Sequence, residues 1–394
     1  MDAVSARGGR TRGAAGPTAA ELSAAVAEVD LSALAHNLRI VRDAVSPGAD
    51  VMAVVKANAY GHGLPGTALH LESLGVGWFA VATPVEALTL RRGGLRARVL
   101  LLSPVGEPAT VAALAAAGVS LTVPGEHALE AIAAARLGSP VDVHLKLDTG
   151  MGRIGARTPE AAARLAVAAA RTPGVRVAGT FTHLFASEEE DEAATLEQLS
   201  RFDDGVAAIL SAGVDPGLRH AANSGAVFRF PRHHLDLVRP GIVLYGYHPG
   251  PVVADMAPGL RPAMRFTAPV SFVKRVPAGT TVSYGGLWRA ERETVVATVR
   301  AGYADGYRRS LTGRAAVGHR GRLLPVIGRV CMDQLMVDAT GAEVDEGERV
   351  VLWGPGGPSA EALGEAIGTV SYEMLTGVAA RVGRTYVPAL PPLA

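Results

Sequence analysis

Between residues 50 and 246, short apolar, β-branched runs alternate with Ala-rich stretches of helical period. Eight runs read as strands: VMAVVK (51–56), WFAVAT (78–83), RVLLLS (98–103), SLTV (120–123), VDVHLKLD (141–148), VAGTFTHLF (177–185), LRHAAN (218–223) and LDLVRPGIVLYG (235–246). The helical stretches between them include PGEHALEAIAAARLG and ATLEQLSRFDDGVAAILSAG, both closing on glycine as helices commonly do. Eight successive βα units predict a (β/α)8, TIM-like barrel over residues 28–262. A doubly wound open sheet shares the local pattern, but no glycine fingerprint follows the first strand. In the fifth run Asp142, His144, Lys146 and Asp148 alternate with Val141, Val143, Leu145 and Leu147, so a polar face is expected inside the barrel near the site.

After PVVADMAPGLRP (251–262) the alternation gives way to AMRFTAPVSFVKRV, ETVVATVRAG, RLLPVIGRVCMDQLMVDA and ERVVLWGP, separated by Gly and Pro turns. A mostly β second domain over 263–394 is therefore expected, ending with a helix at SAEALGEAIG and another after SYEMLTGV. No fixed-period repeat accompanies the βα alternation. Residues 1–27 begin with a Gly-, Ala- and Arg-rich stretch lacking the apolar run of a secretory signal, and read as a flexible extension.

Composition narrows the picture. With 48% hydrophobic and 19% charged residues the chain is globular. Its formal net charge of +1, with basic residues scattered, gives no footprint for nucleic acid or an anionic membrane, which favours a small-molecule ligand. Cys331 is the single cysteine, so no intrachain disulfide can form and a cytoplasmic location is expected. No apolar stretch reaches the roughly 20 residues of a membrane span. Lys56, Lys146 and Lys274 are the only lysines although Lys and Arg together number 38. Arginine cannot form an imine with an aldehyde, whereas an amine can lose its proton and attack, so each remaining lysine invites a chemical role.

Barrels of this kind carry their sites at the C-terminal ends of the strands. Those ends offer Lys56 and, just beyond it, Tyr60; Arg153 after the fifth strand; His183 near the end of the sixth; Asn223 and Ser224 after the seventh; Gly241 and Ile242 around the eighth. The set suits a phosphorylated aldehyde cofactor, the amine forming an imine while backbone N–H groups and hydroxyls hold the phosphate. Each has a plainer alternative: Ser224 could N-cap a short helix, Gly241 could be a turn, and His183 could be a structural histidine.

VVKANAYGHG (54–63), KLDTGMGRIG (146–155), AANSGA (221–226), RPGIVLYG (239–246), VSYGG (282–286), AGYADGY (301–307), GRVCMDQLMVD (328–338) and SYEMLTGVAARV (371–382) occur in one order, and in that order the chain resembles the alanine racemases over residues 28–388. The resemblance implies an isomerase that interconverts L- and D-alanine by two-base racemisation, with pyridoxal 5'-phosphate as a Schiff base on Lys56, and that supplies D-alanine for peptidoglycan. It implies Tyr284, provided by the other subunit of a homodimer, as the base on the opposite face of the substrate, with His183 beside it to support its phenolate. Arg239 is implied as the donor to the pyridine nitrogen, and Tyr60, Ser224, Gly241, Ile242 and Tyr372 as phosphate-binding positions. Arg153 would lie near the cofactor's phenolic oxygen and the substrate carboxylate, oriented by Lys146 as a carbamate. Cys331, Met332 and Asp333 resemble the partner-subunit segment that closes the pocket, the Met332 amide meeting the substrate carboxylate. Tyr303 and Tyr372 resemble the tyrosines that narrow its mouth.

Three alternatives stand beside this one. They are a racemase of broader specificity accepting serine or lysine, an amino-acid decarboxylase on the same barrel, and a noncatalytic protein that binds pyridoxal phosphate. Decarboxylases lack VSYGG and CMDQ in this form, and binding proteins of the third kind resemble the barrel alone. The acidic run in HLFASEEEDE (183–192) departs from the family pattern and reads either as a solvated helix start or as altered access to the pocket.

Overall fold

The computed structural model describes residues 25–388. Most of the expected extension, residues 1–24, lies outside the described residues. Residues 26 and 27 open a strand, β1 (Val26–Asp30). Asp30 ends it and caps the helix Leu31–Ala44, its carboxylate accepting the N–H groups of Ser32 and Ala33 at 2.8 and 3.0 Å.

Eight strands then form a parallel sheet: β2 (Asp50–Val54), β3 (Trp78–Val81), β4 (Arg98–Leu101), β5 (Val119–Val123), β6 (Val141–Lys146), β7 (Val175–Phe181), β8 (Leu218–His220) and β9 (Leu237–Val238). The order is β8-β7-β6-β5-β4-β3-β2-β9. The ring closes between β8 and β9, where the Asp236 N–H donates to the Arg219 carbonyl at 3.0 Å and the Arg239 N–H to the Ala222 carbonyl at 2.8 Å. This is the expected (β/α)8 barrel, with two local departures. The eighth run, read as a strand over 235–246, keeps only two residues of strand. Pro240 interrupts the ladder, having no N–H to give, and Ile242–Tyr245 winds into a 3-10 turn. The polar face of the fifth run is divided: His144 and Lys146 are buried in the barrel, whereas Asp142 is half-buried and pairs with Arg176 of β7.

In the second domain β10 (Met264–Val276) is long enough to serve two neighbourhoods. Its first half pairs with β1 and β17 (Arg349–Trp353), its second with β13 (Thr294–Val299). From β13 the sheet continues through β16 (Leu335–Asp338), β15 (Arg322–Ile327) and β14 (Ala316–His319) to β17 and so returns on itself. A two-stranded ribbon, β11 (Thr281–Val282) and β12 (Trp288–Arg289), lies apart from this ring. β18 (Gly383–Val387) runs parallel to β1, Val26 facing Gly383. The two helices are Ala360–Ala366 and Ser371–Thr376, so the second occupies the SYEMLT motif itself rather than following it. One core cluster runs through both domains, and a smaller separate one of Val276, Val282, Ala290, Val296 and Ile327 lies in the second. Among the described residues no helix is long and apolar enough to cross a membrane, and no cluster of His, Cys, Asp or Glu could hold a metal ion.

Candidate active site

Lys56 leaves the end of β2 and enters a turn of unusual hand. Ala57, Asn58, Ala59 and Tyr60 have φ of 53°, 55°, 53° and 50°, one turn of left-handed helix without a glycine. Such a conformation costs L-residues roughly 1–2 kcal/mol each, so surrounding contacts must hold it. Asn58 Oδ1 accepts the Leu64 N–H at 2.8 Å, and the Asn58 N–H donates to Glu86 Oε1 at 3.2 Å. On the far side, a Cβ at Gly61 would sit 2.1 Å from the Leu375 carbonyl oxygen, so the turn abuts the helix bearing Tyr372.

The barrel mouth encloses a cavity of about 560 Å³ that Lys56, Tyr60, Lys146, Arg153, His183, Asn223, Ser224, Arg239, Gly241 and Tyr372 all line. Burial lowers the proton affinity of the Lys56 amine, Arg153 lowers it further, Glu86 opposes the shift and Arg239 adds to it. Ile242, expected at the same site, is buried in the core next to Gly241.

Arg239 is buried on the cavity floor and held by acceptors. Its NH1 donates to the His220 carbonyl at 2.8 Å and to His220 Nδ1 at 3.0 Å; its NH2 donates to the carbonyls of Thr182 at 2.7 Å and Ala221 at 3.1 Å. A guanidinium only donates, which fixes the tautomers beyond it. His220 Nδ1 must accept, so its Nε2 carries the hydrogen and donates to His144 Nδ1 at 2.8 Å. Burial holds both rings neutral, His144 down to about 4 and His220 well below the ordinary histidine value. Burial also brings Arg239 down to about 9, still above neutral pH, and these bonds leave Nε–H as its remaining donor. His183 is kept neutral by burial and by the nearby cations Arg239, Arg153, Lys56 and Lys146, in that order, and its Nδ1 lies 3.5 Å from Arg239 NH2.

At the opposite end of the cavity Tyr60 stacks on Tyr245 with centroids 4.8 Å apart, and Tyr372 lies 6.0 Å from Tyr60. Burial pushes both phenols up, so each stays protonated and able to donate. Ser224 Oγ accepts the Gly241 N–H at 2.8 Å, which leaves its own hydroxyl hydrogen for a ligand. Asn223, not Ser224, caps the helix Ser224–Arg229: its Oδ1 accepts the Ala226 N–H at 3.2 Å and its Nδ2 donates to the Leu184 carbonyl at 3.2 Å. Glycine is needed at 241, since a Cβ would lie 2.5 Å from the Tyr60 hydroxyl.

Lys146 is almost fully buried, donates to the Leu147 carbonyl, and is brought down to about 7 by burial, Arg239 and Arg153, with Asp148 opposing. Asp148 Oδ1 gathers the N–H groups of Gly150 and Gly152 at 3.2 and 2.9 Å, shaping the loop that carries Arg153. The acidic run leads into the next helix, Ala193–Ser211, with Glu192 at its N-cap; Arg229 binds the backbone of the run at Glu189 and Glu190 and pairs with Glu192 at 3.1 Å. Glu188, from the same run, lines the cavity.

The remaining expected residues lie elsewhere in the same chain. Tyr284 and Met332 are 69% and 52% exposed, and with Cys331 and Asp333 they line a separate depression on the second domain. Tyr303 adjoins it, its N–H donating to the Cys331 carbonyl at 3.0 Å. Ser283 presents Tyr284 with a φ of 68°, and its hydroxyl donates to the Arg329 carbonyl at 2.7 Å. None of these five lines the cavity of its own barrel.

Residues 29–249 match the model of the alanine racemase N-terminal domain and residues 263–386 that of the C-terminal domain. The chain belongs to the alanine racemase family. The alanine racemase of Desulfovibrio desulfuricans is 40% identical over 364 residues, covering 92% of this chain and 97% of that one. That of Deinococcus radiodurans is 43% identical over 368 residues, covering 92% and 99%. Among solved structures, the family member from Streptomyces coelicolor A3(2) superimposes with a TM-score of 0.87 at 39% identity, covering 93% of this chain and 99% of that one. The Bacillus anthracis alanine racemase with bound L-Ala-P gives 0.87 at 33% identity, covering 92% and 95%. His220 and Glu86 were not legible as site residues, and His144 was expected only as part of the polar face of the fifth run. The TPVE segment does carry a capping-box signal for Glu86, but nothing local announces its bond to Asn58.

Proposed function

We propose that this chain interconverts L-alanine and D-alanine with pyridoxal 5'-phosphate held on Lys56, as one subunit of a homodimer with shared sites. The observation that carries the reading is a single cavity holding an amine of lowered proton affinity at one side and a cluster of neutral hydroxyl donors at the other. The residues fit the cofactor. Tyr60, Ser224 and Tyr372 supply O–H donors for a phosphate, Gly241 leaves the space beside Tyr60, and Arg239 offers Nε–H to a pyridine nitrogen. The barrel supplies the cofactor site, and the second domain, which takes in β1 as well as the strands from β10 onward and so departs from the expected boundary at residue 28, supplies residues to the neighbouring subunit.

When bound, the cofactor supplies an electron sink that acidifies the α-hydrogen of the amino acid attached to it. Lys56 Nζ takes or returns that proton on one face, and the Tyr284 hydroxyl of the partner does so on the other, as inversion requires. A neutral His183 supports the Tyr284 phenolate by hydrogen bonding rather than by charge. Arg153 and the Met332 amide hold the substrate carboxylate, while Tyr303 and Tyr372 narrow the mouth and Cys331 and Asp333 close it. Asn223 acts by fixing the start of the helix that carries Ser224. Lys146, with its amine brought near neutrality, can add carbon dioxide with release of one proton, and the resulting carbamate pairs with Arg153. The physiological role is supply of D-alanine for peptidoglycan in the cytoplasm.

Mixing two inactive variants tests the shared site. Lys56→Ala and Tyr284→Phe, allowed to exchange subunits, should recover about a quarter of wild-type turnover, because half the dimers are mixed and each has one complete site. No recovery would refute the partner role of Tyr284. Lack of turnover by wild-type protein that binds the cofactor would instead favour a binding module.

A further inference from the structure

The carboxylate of Glu86 is the meeting point of three backbone groups from two elements. Oε2 accepts the N–H groups of Ala82 at 3.0 Å and Thr83 at 3.1 Å, just after β3. Oε1 accepts the Asn58 N–H at 3.2 Å, two residues beyond Lys56 and inside the left-handed turn. A capping box needs only the bond to Thr83, the N-cap residue. The third spends a charged acceptor on the segment least able to hold its own shape, and hydrogen bonds to a charged group are the stronger kind.

The charges around Lys56 make the placement more pointed. Arg153 approaches from the loop after β6 and Arg239 from the end of β9, His183 beyond β7 is neutral, and Tyr60, Tyr372, Lys146 and, from the acidic run, Glu188 complete the ionisable groups of the wall. Both arginines disfavour a protonated Lys56, and Glu86 is the anion opposing them. A group that must remove a proton in one direction and deliver one in the other needs both forms within reach.

We propose that Glu86 is a positioning residue for Lys56, fixing the left-handed turn through Asn58 and balancing the arginines so that the amine can act as acid as well as base. The proposal rests on Lys56 being the cofactor lysine, which borohydride reduction of the loaded protein followed by peptide mapping decides separately.

The scarcity of lysine makes the test direct, because full-length protein labelled with [15N]lysine has only three Nζ signals, from Lys56, Lys146 and Lys274. The protein is stripped of cofactor and titrated. In Glu86→Gln one amide oxygen can still accept from Ala82 and Thr83, but the charge and the Asn58 bond are lost. The Lys56 midpoint should move to lower pH while Lys146 and Lys274 stay in place. Thr83→Ala is the control: it removes the acceptor of the Glu86 N–H at 3.3 Å, weakening the same cap without touching the carboxylate, and should leave the Lys56 midpoint where it was. An unmoved Lys56 signal in Glu86→Gln, or an equal move in Thr83→Ala, overturns the proposal. If Glu86→Gln does not fold, Glu86→Asp sets the charge back by one methylene, and a Lys56 midpoint that does not move to lower pH overturns it.

Discussion

Gly241→Ala puts the phosphate end of the cavity under a measurable strain. The new Cβ would stand 2.5 Å from the Tyr60 hydroxyl oxygen and 3.1 Å from the ring carbon that bears it. Tyr60 has little room to retreat: it is buried, stacked on Tyr245 at 4.8 Å, and anchored in the left-handed turn at φ 50°. Overpacking a well-filled site costs about 1–3 kcal/mol. If the displaced hydroxyl is also lost to the phosphate, the same range weakens cofactor binding roughly 5- to 150-fold. Thermal melts and titration of stripped protein with pyridoxal 5'-phosphate, followed by absorbance, measure the two effects separately. Tyr60→Phe removes the oxygen at 2.5 Å and leaves the 3.1 Å contact, so the double variant should regain most of the melting temperature but not the cofactor affinity. Additive losses in the melts, or a Gly241→Ala protein that melts like wild type, would refute the steric account.

The left-handed turn itself can be relieved. Ala57→Gly, at an exposed position with φ of 53°, should raise the denaturant midpoint by the equivalent of about 1 kcal/mol, and a lowered midpoint would count against strain there. Lys146 gives a pH signature. Its amine is brought from 10.5 to about 7 in the folded chain, so between those values the unfolded state binds more protons and stability from this group rises with pH. Lys146→Met, compared with wild type in buffer free of carbon dioxide, should therefore be relatively most stable below pH 7 and lose that advantage as pH climbs toward 10.5; a pH-independent difference sinks the claim. With carbon dioxide present, native mass spectrometry of wild type should show one added carboxyl per chain, absent in Lys146→Met. Arg239→Lys removes the planar fork that locks His220 and His144, and histidine 15N shifts should then report mixed tautomers at both rings; unchanged shifts would show that the tautomers are set elsewhere.

The barrel was legible because its strands are short apolar runs with helical stretches between them, a signal that needs no knowledge of long-range contacts. β1 was not, because Val26–Asp30 is a five-residue strand whose partners, Met264–Val276 and Gly383–Val387, are far away in sequence. The eighth strand was overdrawn because hydrophobicity continues past Pro240 while the backbone cannot. At the site, Lys56 and Arg153 could be placed at strand ends by counting, whereas Arg239 came from the family resemblance alone. The atoms that define their chemistry could not: the tautomer chain from Arg239 to His144 links β6, β8 and β9, and the second use of Glu86 depends on a turn whose φ values no residue type demands.

The pairing of β1 with β18 sets an order of assembly. The second domain opens with the first described strand and closes with the last, and the whole barrel is threaded between β1 and β10. A ribosome therefore releases the material for a finished barrel while the neighbouring sheet still lacks β10 and β18, and β1 waits with unpaired edges through more than two hundred residues of synthesis. β10 covers one edge and Gly383–Val387 fills the other, so the nascent chain is most exposed to edge-to-edge association before β10 is made. Removing Val26–Asp30 would take away the strand on which both ends of the second domain converge.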